Sequence, residues 1–354
     1  MKKSKVLFLV VSMLMVASLL LAACQPAAPA EEAPAEGGAD VFKVAMLTDL
    51  GGLSGSEDTK GFTDLCWDGL LKARDELGVE ILLIESREQA DYEPNLVKAA
   101  EQGYDYVLGC GYLLTDAINA VAPRFPETKF AIVDSVVDGE NTESIVFSEH
   151  EGSFLVGAIA AGMSETGTIG FVGGMEGPLI EKFEVGYMAG ALAINPDIEV
   201  LSAYAGSFTD AAKGKELALG QYNKGADVIY HASGGTGLGV IEAATQMEKY
   251  AIGVDIDQDA LSKGFVLTSM LKHVEIGVFN SIKDTVDGKF MGGVRVNDLK
   301  ANGVGYSELK FTKDKIPAEL LAKVDKLAEM IKAGDVVVPE TMQALDAFTP
   351  PTVE

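Results

Sequence analysis

Three observations predict the fold class, an α/β protein with two parallel-sheet lobes. Short apolar runs of strand length alternate with segments of helical periodicity. The connections between successive runs are long enough to return each strand parallel to the one before. The alternation also occurs twice, with comparable spacing, in a chain of 354 residues that has room for two domains of ordinary size.

The first alternation places strands at 42–48, 81–85, 106–109 and 130–134, with helices around 61–77, 91–102 and 115–123 and Pro126 closing the last approach. A strand at 144–147 precedes an apolar, alanine- and glycine-rich helix at 152–163, so 149–167 is where the chain first crosses between lobes. The second alternation has strands at 168–172, 199–204, 228–230 and 251–254 and helices around 178–193, 209–223 and 237–248. A returning strand at 266–270 and a helix at 272–287 follow. Residues 313–334 are amphipathic, with Pro317 near the start and Gly334 at the end, and the acids among their lysines favour docking on the protein over a membrane. The expected organisation is a first lobe at 42–150, a crossing helix and second lobe at 151–268, return segments and a packed helix at 269–335, and a strap or tail at 336–354, where Thr341 caps a short helix.

Residues 1–23 carry three early lysines, an apolar run and small residues before Cys24, the pattern of an export signal. Leu21-Ala22-Ala23-Cys24 resembles a bacterial lipobox, which makes Cys24 the expected lipidation site. The following stretch, QPAAPAEEAPAEGGAD, has nothing to pack and reads as a disordered tether over 24–41. The expected location is the extracytoplasmic face of the cell membrane, held by lipid.

With 28 basic and 53 acidic residues, a net charge of −25 and no basic patch interleaved with aromatics, nucleic acid is not an expected partner. Cys66 and Cys110 form no CxxC and no disulfide framework; they read as two free, partly buried thiols that would pair only if the fold brought them together. Three scattered histidines, His150, His231 and His273, supply no HExxH, and GxSxG and GxxxxGK[ST] are absent, so neither an enzyme nor a cofactor or metal is expected.

The residues that look recruited cluster at strand ends, where parallel sheets open a crevice. Asp49 precedes Gly51 and Gly52 after the first strand, and Phe62 opens the next helix as a possible stacking ring. Gly109-Cys110-Gly111-Tyr112 and Phe171-Val172-Gly173-Gly174 open equivalent strand ends in the two lobes. Gly234 and Gly235 form a turn before a helix. Asp255 and Asp257, one residue apart, would point the same way on an extended segment, and Lys272 lies where the chain returns between lobes. Acids in this pattern suit three tasks: gripping ligand hydroxyls, binding calcium, or hydrolysing a glycosidic bond with Asp49 and Asp255 or Asp257. No twelve-residue calcium loop is present.

The motifs TDLGG, GFTDLCWDGL, SFLVGAIAAG, GTIGFVGGMEGPLIEKFEVGYMAG, SFTDAAKGKELA, GADVIYHASGGTGLGVIEAA, GVDIDQ and TSMLKHVEIGVF, in that order over roughly 42–335, resemble the basic membrane protein family of bacterial solute-binding lipoproteins, which includes purine-nucleoside receptors of ABC importers. The resemblance implies a type I periplasmic-binding-protein fold whose two hinged lobes close on a nucleoside, expected to be a purine, for delivery to permease subunits by a monomeric receptor. Matching motifs assign ligand contacts to Asp49, Phe62, Tyr112, Phe183, Gly234, Gly235, Asp255 and Lys272. Here SGSEDTKG lengthens the first loop and Thr63 stands where an amide is usual, which makes Asp64 or Glu57 its expected substitute; His150 stands where glutamine is frequent. A sugar or other small polar solute, an autoinducer-like ligand, a surface hydrolase and a structural lipoprotein are the rival readings.

Overall fold

Residues 41–50, 52–56 and 59–353 are described in a computed structural model of the chain. The proposed signal, Cys24 and nearly all of the tether fall outside them, as does Glu57. No helix among the described residues is long and apolar enough to cross a membrane.

The first lobe begins with β1 (Lys43–Thr48), α1 (Phe62–Leu77), β2 (Glu80–Ile84), α2 (Tyr92–Glu101), β3 (Tyr106–Cys110), α3 (Thr115–Val121), β4 (Lys129–Val133) and β5 (Thr142–Phe147). Helix α4 (Glu149–Met163) then leads into β6 (Thr168–Gly173), α5 (Pro178–Ile194), β7 (Glu199–Tyr204), α6 (Ala211–Asn223), β8 (Val228–Ala232), α7 (Gly237–Met247), β9 (Tyr250–Asp255) and β10 (Val266–Lys272). The last elements are α8 (Val274–Val286), β11 (Gly293–Asn297), β12 (Val304–Tyr306), α9 (Ala318–Ala333) and α10 (Met342–Asp346).

Among the described residues the strands form two six-stranded sheets, ordered β11-β5-β4-β3-β1-β2 and β12-β10-β9-β8-β6-β7. All pairings are parallel except that of β12 with β10. Central strands such as β3 and β8 are buried throughout, as expected when helices cover both faces of a parallel sheet. The two sheets share one strand order, so the ends of β1, β3, β4 and β5 have counterparts in β6, β8, β9 and β10.

The chain passes between sheets at β5–α4, at β10–α8 and between β11 and β12. These crossings lie side by side: Ser148 N donates to Asn297 O at 3.1 Å and His273 N to Gly303 O at 2.9 Å. Helix α4 is buried almost end to end and packs backbone to backbone on α5. Glycine makes this possible, because a Cβ on Gly190 would stand 1.8 Å from Phe154 O and one on Gly157 2.1 Å from Tyr187 O.

Strands β11 and β12 are not among the strands expected from the sequence, and β11 alternates over only five residues. Val294 and Val296 of β11 are exposed on the sheet edge, and β12 has three residues. What docks β11 is charge: buried Glu143 of β5 accepts from Arg295 Nε at 2.6 Å and from Ser281 Oγ at 2.5 Å. Helix α9 starts at Ala318, after Pro317 and a separate short turn at Lys313–Lys315, and ends at Gly334 with φ +80°. The C-terminal segment is docked: Phe348 packs edge-on against Phe154 at 6.3 Å, Val353 is buried, and Thr341 Oγ1 accepts from Ala344 N.

Cys66 and Cys110 are not free thiols. They form a disulfide with Cα atoms 6.3 Å apart, because α1 lies over the end of β3 and turns Cys66 towards Cys110. Closing 44 residues of sequence in this way constrains the unfolded chain by about 4 kcal/mol on a loop-entropy argument.

Candidate functional site

A cavity of about 430 Å³ opens between the strand ends of the two sheets. Its wall includes all eight residues singled out from the sequence: Asp49, Phe62, Tyr112, Phe183, Gly234, Gly235, Asp255 and Lys272. Asp49 follows β1, Tyr112 follows β3, Phe62 is the first residue of α1, and Phe183 sits in the second turn of α5. Asp255 and Lys272 end β9 and β10. Gly234, with φ +55°, and Gly235 make the turn after β8; a Cβ on either would come within 3.2–3.3 Å of Phe208 O.

Lys272 is the hub. Its ammonium, 1 % exposed, donates to Asp134 Oδ2 at 2.6 Å and lies 3.1 Å from Glu149 Oε1. The second contact is an ion pair by distance alone, since neither Glu149 oxygen has a hydrogen-bond partner. Asp134 belongs to the first lobe and Lys272 to the second, so this ion pair spans the cleft. The rings of Phe62 and Phe147, each 5.1 Å away, and Phe183 at 5.5 Å form a cation–π collar around the ammonium. Burial alone would pull the Lys272 pKa down; Asp134, Glu149 and Asp255 outweigh it and hold the ammonium above the ordinary lysine range.

The acids respond in kind. Burial pushes Asp49 up to about 7, with the charge of Asp134 adding to the shift. Burial also pushes Asp255 up to about 7; Lys272 draws it back, while Asp134 and Glu149 oppose its ionisation. Glu149, fully buried, is raised chiefly by desolvation despite Lys272 and Lys182 nearby. A carboxylate raised in the folded state favours the fold most below its unfolded pKa and loses that contribution as pH climbs to the folded value. The ligand-free protein therefore loses stability at this site between about pH 4 and pH 7.

Asp134, Phe208, Phe147 and Glu149 were not singled out from the sequence. A signal for Asp134 exists: Asp134 follows Ile132-Val133 at the end of β4 as Asp255 follows Gly253-Val254 in β9, the strands hold equivalent positions, and both aspartates have positive φ, +69° and +65°. Phe208 follows β7 inside the SFTDAAKG motif and meets Tyr112 of the other lobe edge-on, ring centroids 6.4 Å apart.

Three further residues from the sequence reading have local roles of their own. Asp257 does not join Asp255, because the left-handed backbone at Asp255 ends the pleat; it pairs instead with Lys310 at 2.7 Å. Asp64, on the cavity wall, has both oxygens engaged: Oδ1 accepts from Ser54 N and Ser54 Oγ, and Oδ2 from Gly61 N, each at 3.0 Å, so it braces the lengthened loop. His150 points away from the cavity wall towards the strap, 3.8 Å from Glu340, and burial lowers its pKa to about 4. Among the described residues no group of three or more His, Cys, Asp or Glu is placed to hold a metal ion.

Residues 42–341 match the family model described as "ABC transporter substrate-binding protein PnrA-like". The chain is 39% identical over 322 residues to the "CD4+ T-cell-stimulating antigen" of Listeria innocua, covering 84% of this chain and 88% of that one. It is 37% identical over 320 residues to the "ABC transporter nucleoside-binding protein BmpA" of Lactococcus lactis, covering 84% and 89%. A crystal structure of a solute-binding protein of an ABC transporter system from Aeropyrum pernix superposes with a TM-score of 0.79 at 28% identity, covering 86% of this chain and 96% of that one. The two parallel-sheet lobes are thus a type I periplasmic-binding-protein fold. The chain belongs to the Bmp family of PnrA-like ABC transporter substrate-binding proteins, which are binders and not enzymes.

Proposed function

We propose that this chain is a lipid-anchored receptor that captures a nucleoside, with a purine the expected base, between its lobes and passes it unchanged to the permease of an ABC importer. The observation that carries the reading is one cavity wall that combines aromatic rings with carboxylates and a lysine drawn from both lobes. Its size falls within the usual range for small-ligand pockets of about 300–1,000 Å³. The name of the Lactococcus lactis relative supports the nucleoside over a sugar.

In this reading Phe62 and Phe208 flank the base, Asp49 accepts from its polar edge, and Asp255 and Asp134 accept from ribose hydroxyls while Lys272 donates. On the cavity wall Asp49, Asp134 and Asp255 outnumber the ammonium of Lys272, so a 5′-phosphate meets repulsion where a hydroxyl meets acceptors. Closure brings the Asp134–Lys272 pair together across the cleft and excludes water from the ligand. Cys24 carries the lipid, and the tether over 24–41 gives the folded body reach to its permease.

Phe62→Ala is expected to weaken nucleoside binding by about 1–3 kcal/mol in calorimetric titration while leaving cooperative unfolding intact. Unchanged affinity would remove Phe62 from the ligand wall, and with it the main support for a flat base.

A further inference from the structure

We infer that the Cys66–Cys110 disulfide is a positioning device for ligand recognition, fixing the first-lobe half of the cavity in its binding geometry before a ligand arrives. The inference rests on the solute-receptor reading but not on the identity of the solute.

The placement of the two sulfurs carries the inference. Cys66 lies one helical turn beyond Phe62 on α1, so both side chains project from the same face of that helix. Cys110 is the last residue of β3, directly before Gly111 and Tyr112, and it stands in register with Thr48, the residue before Asp49. The link therefore joins the helix that begins with Phe62 to the strand end that presents Tyr112 and abuts Asp49. Both cysteines are wholly buried, which fits a fixed brace better than an exposed redox sensor.

The wall at this point has little slack. Gly111, with φ +108°, leaves room for the Asp49 carboxylate, whose Oδ2 lies 2.3 Å from where a Cβ would be. A small shift of β3 against α1 would alter the spacing of Asp49, Phe62 and Tyr112 together. The start of α1 is also held by Asp64, which braces the long, glycine-containing loop and accepts from Gly61 N, and by the Lys60–Asp68 ion pair at 3.0 Å, but these contacts tie the helix to its own loop and not to β3. Of the three cysteines in the chain, these two are joined within one lobe, so the bond leaves the crossings between lobes free to move. Holding a binding wall in its bound geometry raises affinity by removing the ordering cost of association.

The test compares the full-length protein with its Cys66→Ala/Cys110→Ala variant. The probe is whichever of adenosine, guanosine, inosine, cytidine, uridine or thymidine the unmodified protein binds most tightly. Amide hydrogen exchange of ligand-free protein is followed in parallel. The variant is expected to bind about tenfold more weakly. Its amides at 61–65 and 111–113 should exchange at least about tenfold faster, with 208–211 and 233–237 unchanged. Leu327→Ala in α9, a core change remote from the cavity, serves as a destabilised control and should keep its affinity. Unchanged exchange at 61–65 and 111–113 would overturn the inference, and so would an equal loss of affinity in the control. If the unmodified protein binds none of the six nucleosides, the nucleoside reading fails and the exchange result still decides the role of the disulfide. Should the alanine pair fail to fold, Cys66→Val/Cys110→Ala, which refills the helix side of the contact, takes its place with the same outcomes.

Discussion

Lys272→Met is expected to abolish ligand binding and to lower folding stability by about 3–5 kcal/mol at pH 8. The substitution keeps a side chain of similar length among Phe62, Phe147 and Phe183 but removes the positive charge. Asp134, Glu149 and Asp255 would then face one another without the ammonium that now holds them, at a site 1–5 % exposed for the first two. Burial already favours the neutral forms of Glu149 and Asp255, so the loss should shrink as pH falls from 8 towards 5 and these two take up protons. Denaturant unfolding at several pH values checks this. A loss below about 1 kcal/mol at pH 8, or one independent of pH, would mean that the cluster is not held by Lys272.

Asp255→Asn separates folding from binding at the same site. The backbone at Asp255 is left-handed, a conformation asparagine accepts as readily as aspartate, so the substitution changes charge without adding strain. Because Asp255 titrates at about 7 in the fold, the unmodified ligand-free protein should lose stability as pH rises from 5 to 8, and the variant should lose less. Affinity should behave in the opposite sense. A ribose hydroxyl donates to the ionised carboxylate, so binding by the unmodified protein should strengthen between pH 6 and 8, by up to about tenfold for each acid engaged. In Asp255→Asn, binding should weaken by about 1.5–3 kcal/mol, and the pH-dependent rise should shrink to what Asp49 supplies. Calorimetry of both proteins at pH 6, 7 and 8 measures it. An affinity that falls with pH would show that these groups bind in their protonated form.

Much of this site was legible in the sequence because parallel sheets put ligands at one kind of place. Once the apolar runs were assigned, Asp49, Gly111, Gly234 and Asp255 stood at strand ends, and family motifs singled out Phe183 and Lys272. What stayed hidden depended on neighbours far away in the chain. Asp134 resembles any turn acid until β4 and β9 are seen to occupy equivalent positions in two sheets. The disulfide requires knowing that α1 crosses the end of β3, which no spacing of two cysteines can supply. Strand β11 alternates over only five residues and turns its valines outward, so what docks it, Arg295 on Glu143, comes from 152 positions away. Asp257 parts from Asp255 for a local reason, since the period-two argument holds only on extended backbone and Asp255 departs from it.

The central claim is that a neutral, hydroxyl-rich ligand with a flat ring fits a cavity ringed by more carboxylates than cations. Calorimetric titration of ligand-free protein with a nucleoside, its 5′-monophosphate, the free base and ribose tests it most directly. The account predicts saturable binding of the nucleoside, recovered unchanged, with each of the other three at least about a hundredfold weaker. Binding of the monophosphate as tight as that of the nucleoside, or no binding of any nucleoside tried, would contradict it.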